Sequence, residues 1–269
     1  LTERGTHTAL DALAVGAVDV VAKPKVDAGH DLEEMLQELR TKIKIAATID
    51  VSHWKHKIER PKRLSQTRIL AGKRKRPLPI KVIAIGASTG GTEALREVLT
   101  GFPSAMPGIV IVQHLPAAFT RQFAARLNSL CSLEVKEAED GDLIMRGQVL
   151  VAPGAKQLRI VRAGLSHRVE IKPGEPVSGH CPSVDVLMNS VADQVCPAAI
   201  GVLLTGMGRD GALGMQAMRK AGARTLAQDQ ATCVVFGMPK AAWDLGAAEQ
   251  LVPLPDIAPA VLELLGGER

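Results

Sequence analysis

Three short polar segments of this 269-residue chain carry residue types that are used in nucleophilic catalysis. The first runs from Gly86 to Gly90, reads G-x-S-x-G, and places Ser88 where an apolar run gives way to a helical pattern. Small flanking residues allow close backbone approach in such a turn, and the N-terminus of the following helix offers N–H groups to a developing oxyanion. From this motif alone, a nucleophile elbow and a plain tight turn remain equally open.

A histidine and an aspartate follow two further apolar runs. His114 comes directly after GIVIVQ, and Asp210 lies among Gly206, Gly208 and Gly211 after AAIGVLL. These residue types could serve as a general base and as the carboxylate that orients it. Taken singly, His114 could be an ordinary structural histidine and Asp210 an ordinary helix cap.

Together the three segments predict a Ser–His–Asp site. In open parallel α/β sheets, ligands bind beyond the carboxyl ends of the strands, and all three residues are expected there. Their chain order is Ser–His–Asp, whereas α/β-hydrolases have Ser–Asp–His, so the elbow does not predict that fold. A metal site is disfavoured, because His53 and His56 lack the glutamate of a zincin and His180 has no partner pair.

The elements that must position these residues alternate along the chain from Ile80 onward. Apolar runs at 82–86, 108–113, 198–206, 223–228 and 250–252 alternate with helical patterns near 91–100, 117–129, 211–221, 238–245 and 256–265. The pattern between 133 and 172 is shorter and rich in turns, which suggests an inserted β-hairpin region. The sequence therefore predicts an α/β fold with a doubly wound, mostly parallel sheet and helices on both faces.

The first 79 residues do not continue this alternation of apolar runs and helical patterns. Residues 1–24 contain a helical pattern ending at Gly16 and a short apolar strand from Val18 to Ala22, which reads as half of an α/β unit and suggests a fragment. Residues 31–47 predict an amphipathic helix. We therefore divide the chain into an N-terminal remnant (1–24), a helical and then basic linker (25–79) and a main domain (80–269).

Charge is concentrated in the linker. Residues 55–76 hold ten basic residues against one acid, a net of +9, which leaves −4 for the rest of the chain's +5. A solvated linker is the preferred interpretation; an arm for nucleic acid, an acidic partner or an anionic membrane surface is the alternative. Aromatic residues make up 2% of the chain, and no helix-turn-helix pattern follows the linker, so nucleic-acid binding is disfavoured.

Cysteine usage and hydropathy exclude other classes. The four cysteines form no CxxC pair, which favours reduced, structural thiols, and none of them has the context of an elbow nucleophile. No apolar run approaches the roughly 18–20 residues that span a bilayer, so no membrane insertion is expected.

Several segments of this chain resemble a known family, the chemotaxis response-regulator protein-glutamate methylesterases. The resemblance covers essentially all of residues 80–269, and residues 1–24 resemble the end of a phosphoacceptor receiver domain. It is carried by IGASTGGTEALREVL, VIVQHLP, GHCPSVDVLMNSVA, LLTGMGRDGALGM and AQDQATCVVFGMPKAA. Leu115 and Gln230 depart from the family pattern, and neither belongs to the expected triad.

The resemblance assigns roles to particular residues. It implies that Ser88 is the nucleophile, His114 the base and Asp210 its partner, and that the backbone N–H of Met207 contacts the oxyanion. The elbow geometry adds the N–H of Thr89 as a second donor. Lys23 corresponds to the phosphate-contacting lysine of the receiver remnant. No cofactor and no metal are implied.

The resemblance also implies a reaction and partners. The substrates would be glutamate methyl esters on the cytoplasmic helices of methyl-accepting chemoreceptors, hydrolysed with release of methanol, and some receptor glutamines would be deamidated. Phosphorylation of a full receiver by the chemotaxis histidine kinase would relieve blockage of the site; we expect this chain, which lacks the phosphoacceptor, not to respond to phosphodonors. The expected location is the cytoplasm. The alternative is a catalytically inactive homologue that binds receptors or the kinase.

Overall fold

A sheet of parallel strands forms the centre of the computed structural model, which describes residues 8–9, 11–13, 17–21, 29–47 and 81–266. In chain order the elements are α1 (Gly29–Ala46), β1 (Val82–Ala87), α2 (Gly91–Thr100), β2 (Gly108–Gln113), α3 (Ala117–Leu130), β3 (Glu134–Glu137), β4 (Gln148–Val151), β5 (Gln157–Ala163), β6 (Ser166–Lys172), α4 (Val184–Gln194), β7 (Ala199–Leu203), α5 (Ala212–Lys220), β8 (Arg224–Gln228), α6 (Met238–Asp244), β9 (Gln250–Val252) and α7 (Leu254–Gly266). Residues 8–9 and 11–13 are also helical.

The strand order places the start of the main domain in the middle of the sheet. Within the described residues seven strands pair in the order β3-β4-β2-β1-β7-β8-β9, and every pair is parallel. After β1, the chain adds β2, β3 and β4 on one side of it. The later strands β7, β8 and β9 lie on the other side. The order of the strands therefore reverses between β1 and β7, which is where ligands bind in folds of this kind.

Two apolar cores lie on the two faces of the sheet. Successive β1 residues alternate between them: Ile83 and Ile85 belong to one core, and Val82 and Ala84 belong to the other. Helices α2, α3 and α7 cover the first face, while α4, α5 and α6 and the β5–β6 hairpin cover the second. Strands β1, β2 and β7 are buried along their whole length, as a parallel sheet covered on both faces requires. The predicted fold class is confirmed.

Two parts of the main domain differ from the sequence prediction. The inserted hairpin is confined to β5 and β6, whereas β3 and β4 join the main sheet beside β2. Both strands have only four residues, too few for the apolar pattern to show which sheet they join. Helix α4 was not predicted, although Ser183 is its N-cap and accepts a hydrogen bond from the N–H of Val186.

The N-terminal predictions are met only in part. Residues 17–21 have no strand assignment, so the strand predicted from Val18 to Ala22 is wrong for Val18 to Val21. An isolated apolar run has no ladder to join, and no described strand pairs with it. Ala22 and Lys23 lie outside the described residues, as do residues 48–79. The amphipathic helix predicted at 31–47 corresponds to α1.

Side chains from the N-terminal stretches contact the main domain. Leu13 is buried within the core on the α2, α3 and α7 face, and Asp11 pairs with Arg126 at 2.6 Å. Asp19 pairs with Lys42 of α1 at 3.0 Å. None of the helices in the described stretches is long and apolar enough to cross a membrane.

Candidate active site

The structure brings the three predicted residues to one edge of the sheet. Ser88 follows β1, His114 follows β2, and Asp210 lies in the loop after β7. The register pairs Ala87 with Gln113, so Ser88 and His114 leave neighbouring strands at the same level. This edge is the carboxyl end of the strands, where their order reverses.

The turn that carries Ser88 is held by the neighbouring strands. The N–H of Ser88 donates to the carbonyl of Thr205 (3.0 Å), and its carbonyl accepts from the N–H of Gly91 (2.7 Å). Gly90 adopts a left-handed conformation with φ of 78°, which favours glycine. A Cβ on Gly206 would lie 2.7 Å from the Cβ of Ser88, so the β7 loop reaches the serine only because this residue has no side chain.

Gln113 links the serine turn to the histidine, and the sequence analysis missed it. Its side-chain amide donates to the carbonyls of Ser88 (3.0 Å) and His114 (3.3 Å). The side chain is buried and fits because Gly91 opposite it has no Cβ. A buried glutamine that ends an apolar strand, next to a candidate base, is the signal that could have identified it.

His114 and Asp210 form a buried hydrogen bond. The Nε2 of His114 lies 2.9 Å from the Oδ2 of Asp210, and the two side chains are 8% and 1% exposed. The second ring nitrogen, Nδ1, is buried and has no hydrogen-bond partner among the described residues. Asp210 therefore fixes the proton of the neutral ring on Nε2, and Nδ1 is the atom that remains free to accept one.

The Ser88 hydroxyl is not hydrogen-bonded to this pair. Among the described residues no hydrogen bond is formed by the Ser88 hydroxyl, so the structure connects two of the three side chains directly. Catalytic hydrogen bonds are often long in the absence of substrate and tighten when it binds.

The carboxylate of Asp210 also binds the N-terminus of α4. Its Oδ1 accepts from the Ser183 hydroxyl (2.7 Å) and the N–H of Asp185 (3.0 Å), and its Oδ2 accepts from the N–H of Val184 (2.8 Å). These backbone N–H groups have no partner within the helix, and the helix dipole favours a negative charge at this end. The aspartate of the site is thus the anion that caps α4.

These contacts decide the charge of Asp210. Burial by itself would raise the pKa of the carboxyl, but the hydrogen bonds from His114, Asp185 and Ser183 lower it below its ordinary value. The carboxylate therefore stays ionised at neutral pH. In this form it can accept a hydrogen bond from the N–H of the His114 ring.

Asp185 makes the reciprocal contact. It lies in the first turn of α4, and its carboxylate accepts from the N–H of Gly214 in α5 (2.8 Å) and from the exposed Ser178 hydroxyl (3.0 Å). Asp210, just before α5, caps α4, and Asp185 within α4 binds the first turn of α5. Burial, together with the charge of Asp210, raises the pKa of Asp185.

A second histidine lies against the first. The ring of His180 stacks on that of His114 with centroids 3.6 Å apart and planes 15° apart. Burial and the charge of His114 lower the pKa of His180 to about 4; Asp210 opposes this shift and Lys42 adds to it. From the sequence, His180 could be considered only as a metal ligand, because no local pattern predicts a stack between residues so far apart.

The two predicted oxyanion donors lie beside Ser88. Thr89 is buried next to it, and Met207 is half-exposed in the β7 loop. The backbone N–H of neither residue forms a hydrogen bond with another described residue. Gly237 and Met238 donate to the carbonyl of Gly206, which holds the loop in place. The Thr89 hydroxyl donates to the Asp19 carboxylate at 2.9 Å.

Two other chemistries, a cysteine nucleophile and a metal ion, have little support among the described residues. Burial raises the pKa of Cys233 to about 12 and that of Cys196 to about 11, so both thiols stay protonated. Within the described stretches, no group of three His, Cys, Asp or Glu side chains could hold a metal ion.

Fold and site together define an α/β protein with a doubly wound parallel sheet, whose carboxyl edge combines a serine turn with a buried His–Asp pair. Comparison with known proteins gives the family. Residues 83–261 match the model of the CheB methylesterase family, and the chain belongs to this family.

Relatives support the assignment over the whole chain. The chain is 56% identical over 272 residues to a protein-glutamate methylesterase/protein-glutamine glutaminase of Syntrophotalea carbinolica, covering 100% of this chain and 76% of that protein. It is 49% identical over 274 residues to one from Sulfurimonas denitrificans, with the same two coverages. The CheB methylesterase catalytic domain of Thermotoga maritima matches with a TM-score of 0.68 and 36% identity, covering 70% of this chain and all of that one.

The capping contacts of the two aspartates predict unequal effects of the same substitution. Both carboxylate oxygens of Asp210 accept hydrogen bonds. In Asp210→Asn one of them becomes an NH₂ group, which cannot accept from the buried donors of α4 or from His114. We expect this variant to lower the free energy of unfolding by about 2–4 kcal/mol. In Asp185→Asn the remaining oxygen still accepts from Gly214 while the NH₂ faces the Ser178 hydroxyl, so we expect a loss under about 1 kcal/mol. Urea unfolding of both variants measures the difference; equal losses would contradict the capping role of Asp210.

The position of His180 predicts a pH-dependent stability. Its pKa is about 4 in the folded chain and about 6.5 when unfolded. The unfolded chain therefore binds this proton more readily, and stability is lost as pH falls from about 6.5 towards 4. We expect the unfolding temperature to fall less between pH 7 and pH 5 in His180→Phe than in the unsubstituted chain. Parallel falls in the two proteins would argue against the prediction.

Proposed function

We propose that this chain is a serine hydrolase that demethylates glutamate methyl esters on the cytoplasmic helices of chemoreceptors during chemotactic adaptation, and that it works in the cytoplasm. Relatives of this chain are named protein-glutamate methylesterase/protein-glutamine glutaminase, so we extend the proposal to deamidation of receptor glutamines. The observation that carries it is the buried hydrogen bond between His114 and Asp210 beside the turn of Ser88. A receptor-binding homologue without activity would need Asp210 to cap α4, but it would not need a histidine paired with that carboxylate.

The first half of the proposed reaction forms an acyl-enzyme. On substrate binding, the Ser88 hydroxyl hydrogen-bonds to Nδ1 of His114, because Nε2 is held by Asp210. The serine oxygen attacks the ester carbonyl while its proton passes to Nδ1, and the Asp210 carboxylate stabilises the resulting imidazolium. The backbone N–H groups of Thr89 and Met207 bind the oxyanion.

The second half regenerates the serine. The tetrahedral intermediate collapses, the ester C–O bond breaks, and the methoxy group takes the proton from His114 and leaves as methanol. A water then attacks the acyl-enzyme and gives its proton to Nδ1. The serine leaves with that proton, and the receptor side chain is released as glutamate. With a glutamine substrate the leaving group is ammonia.

Regulation is a further part of the proposal. We propose that the N-terminal stretch belongs to the receiver side of a two-component system, with the chemotaxis histidine kinase as partner and Lys23 as the receiver lysine. The contact that supports this is the hydrogen bond from Thr89 to Asp19, which seats the N-terminal stretch beside the nucleophile. Lys42 donates to the carbonyl of Val20 (2.6 Å) and pairs with Asp19, so α1 holds the same stretch.

The nucleophile is tested by methanol release from a methylated cytoplasmic receptor fragment. Ser88→Ala removes the attacking oxygen, so we expect the rate to fall by roughly 10⁴-fold or more. The matched control is Ser104→Ala, an exposed serine at the opposite end of the sheet, just before β2, which should leave the rate unchanged. Undiminished release from Ser88→Ala, or none from the folded unsubstituted chain, would refute the proposal.

The hydrogen bond between Thr89 and Asp19 predicts that a variant without it is more active. Asp19→Ala removes the acceptor that binds Thr89, and we expect the rate of methanol release to rise by about 2- to 10-fold, the equivalent of one hydrogen bond. Asp11→Ala is the control, because it breaks a more exposed ion pair with Arg126 that lies on another part of the same contact. Equal rates in the two variants would show that Asp19 does not restrain the site.

A further inference from the structure

The backbone of His180 is held in place by hydrogen bonds. It belongs to the loop between β6 and α4, where Val177 and His180 exchange two backbone hydrogen bonds of 3.0 Å. The side-chain amide of Gln157 in β5 donates to the carbonyls of His180 (3.2 Å) and Glu175 (3.0 Å). The hairpin thus fixes the backbone from which the His180 ring is presented.

The base needs a constraint that its hydrogen bond does not supply. The bond between His114 Nε2 and Asp210 Oδ2 holds one atom of the ring. The ring is also bonded to Cβ through Cγ, so it can still tilt about the line from Cγ to Nε2. Such a tilt would move Nδ1 out of its plane and away from the serine. A flat ring 3.6 Å from its face and 15° from parallel opposes this movement, because any tilt brings the two rings into collision.

We propose that His180 is a positioning residue, whose ring holds the imidazole plane of His114 in the orientation that lets Nδ1 take the proton of Ser88. This inference rests on the proposed hydrolysis by Ser88 and adds to it a residue that acts through the ring of His114. Any flat, uncharged ring on the same backbone would serve the purpose.

The charge state of His180 suits this position. Among the described residues, the charged and titratable groups that act on it are His114, Asp210 and Lys42 of α1. Its pKa of about 4 keeps it neutral when His114 is the active base. When His114 accepts the serine proton it becomes a cation, and a second cation in face contact would oppose that step. A neutral ring can stay stacked throughout the reaction.

The test compares variants of the full chain in the methanol-release assay. His180→Phe keeps a flat neutral ring, and we expect kcat within about threefold of the unsubstituted chain. His180→Ala removes the ring, and we expect kcat to fall by about 10- to 100-fold with KM little changed. His180→Lys places a cation at the site and should fall further than His180→Ala. If His180→Ala does not fold, His180→Leu, which fills volume without a flat face, takes its place.

A second measurement tests the reactivity of Ser88 without the methyl ester substrate. The rate at which a fluorophosphonate labels Ser88, followed by mass spectrometry, should fall in His180→Ala and be retained in His180→Phe. His167→Gln is the control, because His167 is a buried histidine of β6 whose ring contacts the carbonyl of Gln194 instead of the site. Ser88→Ala in both assays shows separately whether Ser88 is the nucleophile.

The outcomes that overturn the inference are distinct. An unchanged kcat in His180→Ala, equal losses in the Phe and Ala variants, or a rise in KM alone would each exclude a positioning role. Loss of the Ser88 dependence would instead refute the proposed function. Absence of both methanol release and labelling in the folded, unsubstituted chain would refute the two proposals together.

Discussion

A single buried charge organises the edge of the sheet. Asp210 is 1% exposed, and a carboxylate in that position is tolerated only when it is paired and hydrogen-bonded. Its partners come from two elements: two backbone N–H groups and one hydroxyl at the start of α4, and the ring of His114 after β2. The interaction that seats α4 against the β7 loop therefore also orients the candidate base, so the stability of the fold and the geometry of the site share one group.

The sheet makes this arrangement possible. Because β1 pairs with β2 on one side and with β7 on the other, the residues after three adjacent strands emerge together. The close approach of these residues also requires glycine at two positions. A Cβ on Gly206 would clash with Ser88, and a Cβ on Gly91 would clash with the side-chain amide of Gln113. Thr205 completes the link, since its hydroxyl donates to the carbonyl of Thr89 and accepts from the N–H of Val235.

The sequence predicted the features that depend on local pattern. Continuous apolar runs predicted the long central strands, and their ends predicted Ser88, His114 and Asp210. The contacts that complete the site join residues far apart in the chain, such as the pair of His114 and Asp210, 96 residues apart, and no periodicity encodes them. Helix α4 was missed despite its N-cap. The sequence could therefore suggest Asp210 as a cap for the helix that follows it, but not as the cap of α4. The stack of His180 on His114 depends on a loop whose path only the folded hairpin determines.

The N-terminal stretch acts on the same few groups through charge as well as contact. Asp19 accepts from the Thr89 hydroxyl and pairs with Lys42, and Lys42 is among the cations that lower the pKa of His180. Displacing this stretch together with α1 would therefore have two effects. The Asp19 carboxylate would leave Thr89, and the positive charge of Lys42 would leave the neighbourhood of the His180 ring. Because interactions between charges weaken steeply once water enters, the ion pair of Asp19 and Lys42 links the position of this stretch to the electrostatics of the stacked histidines.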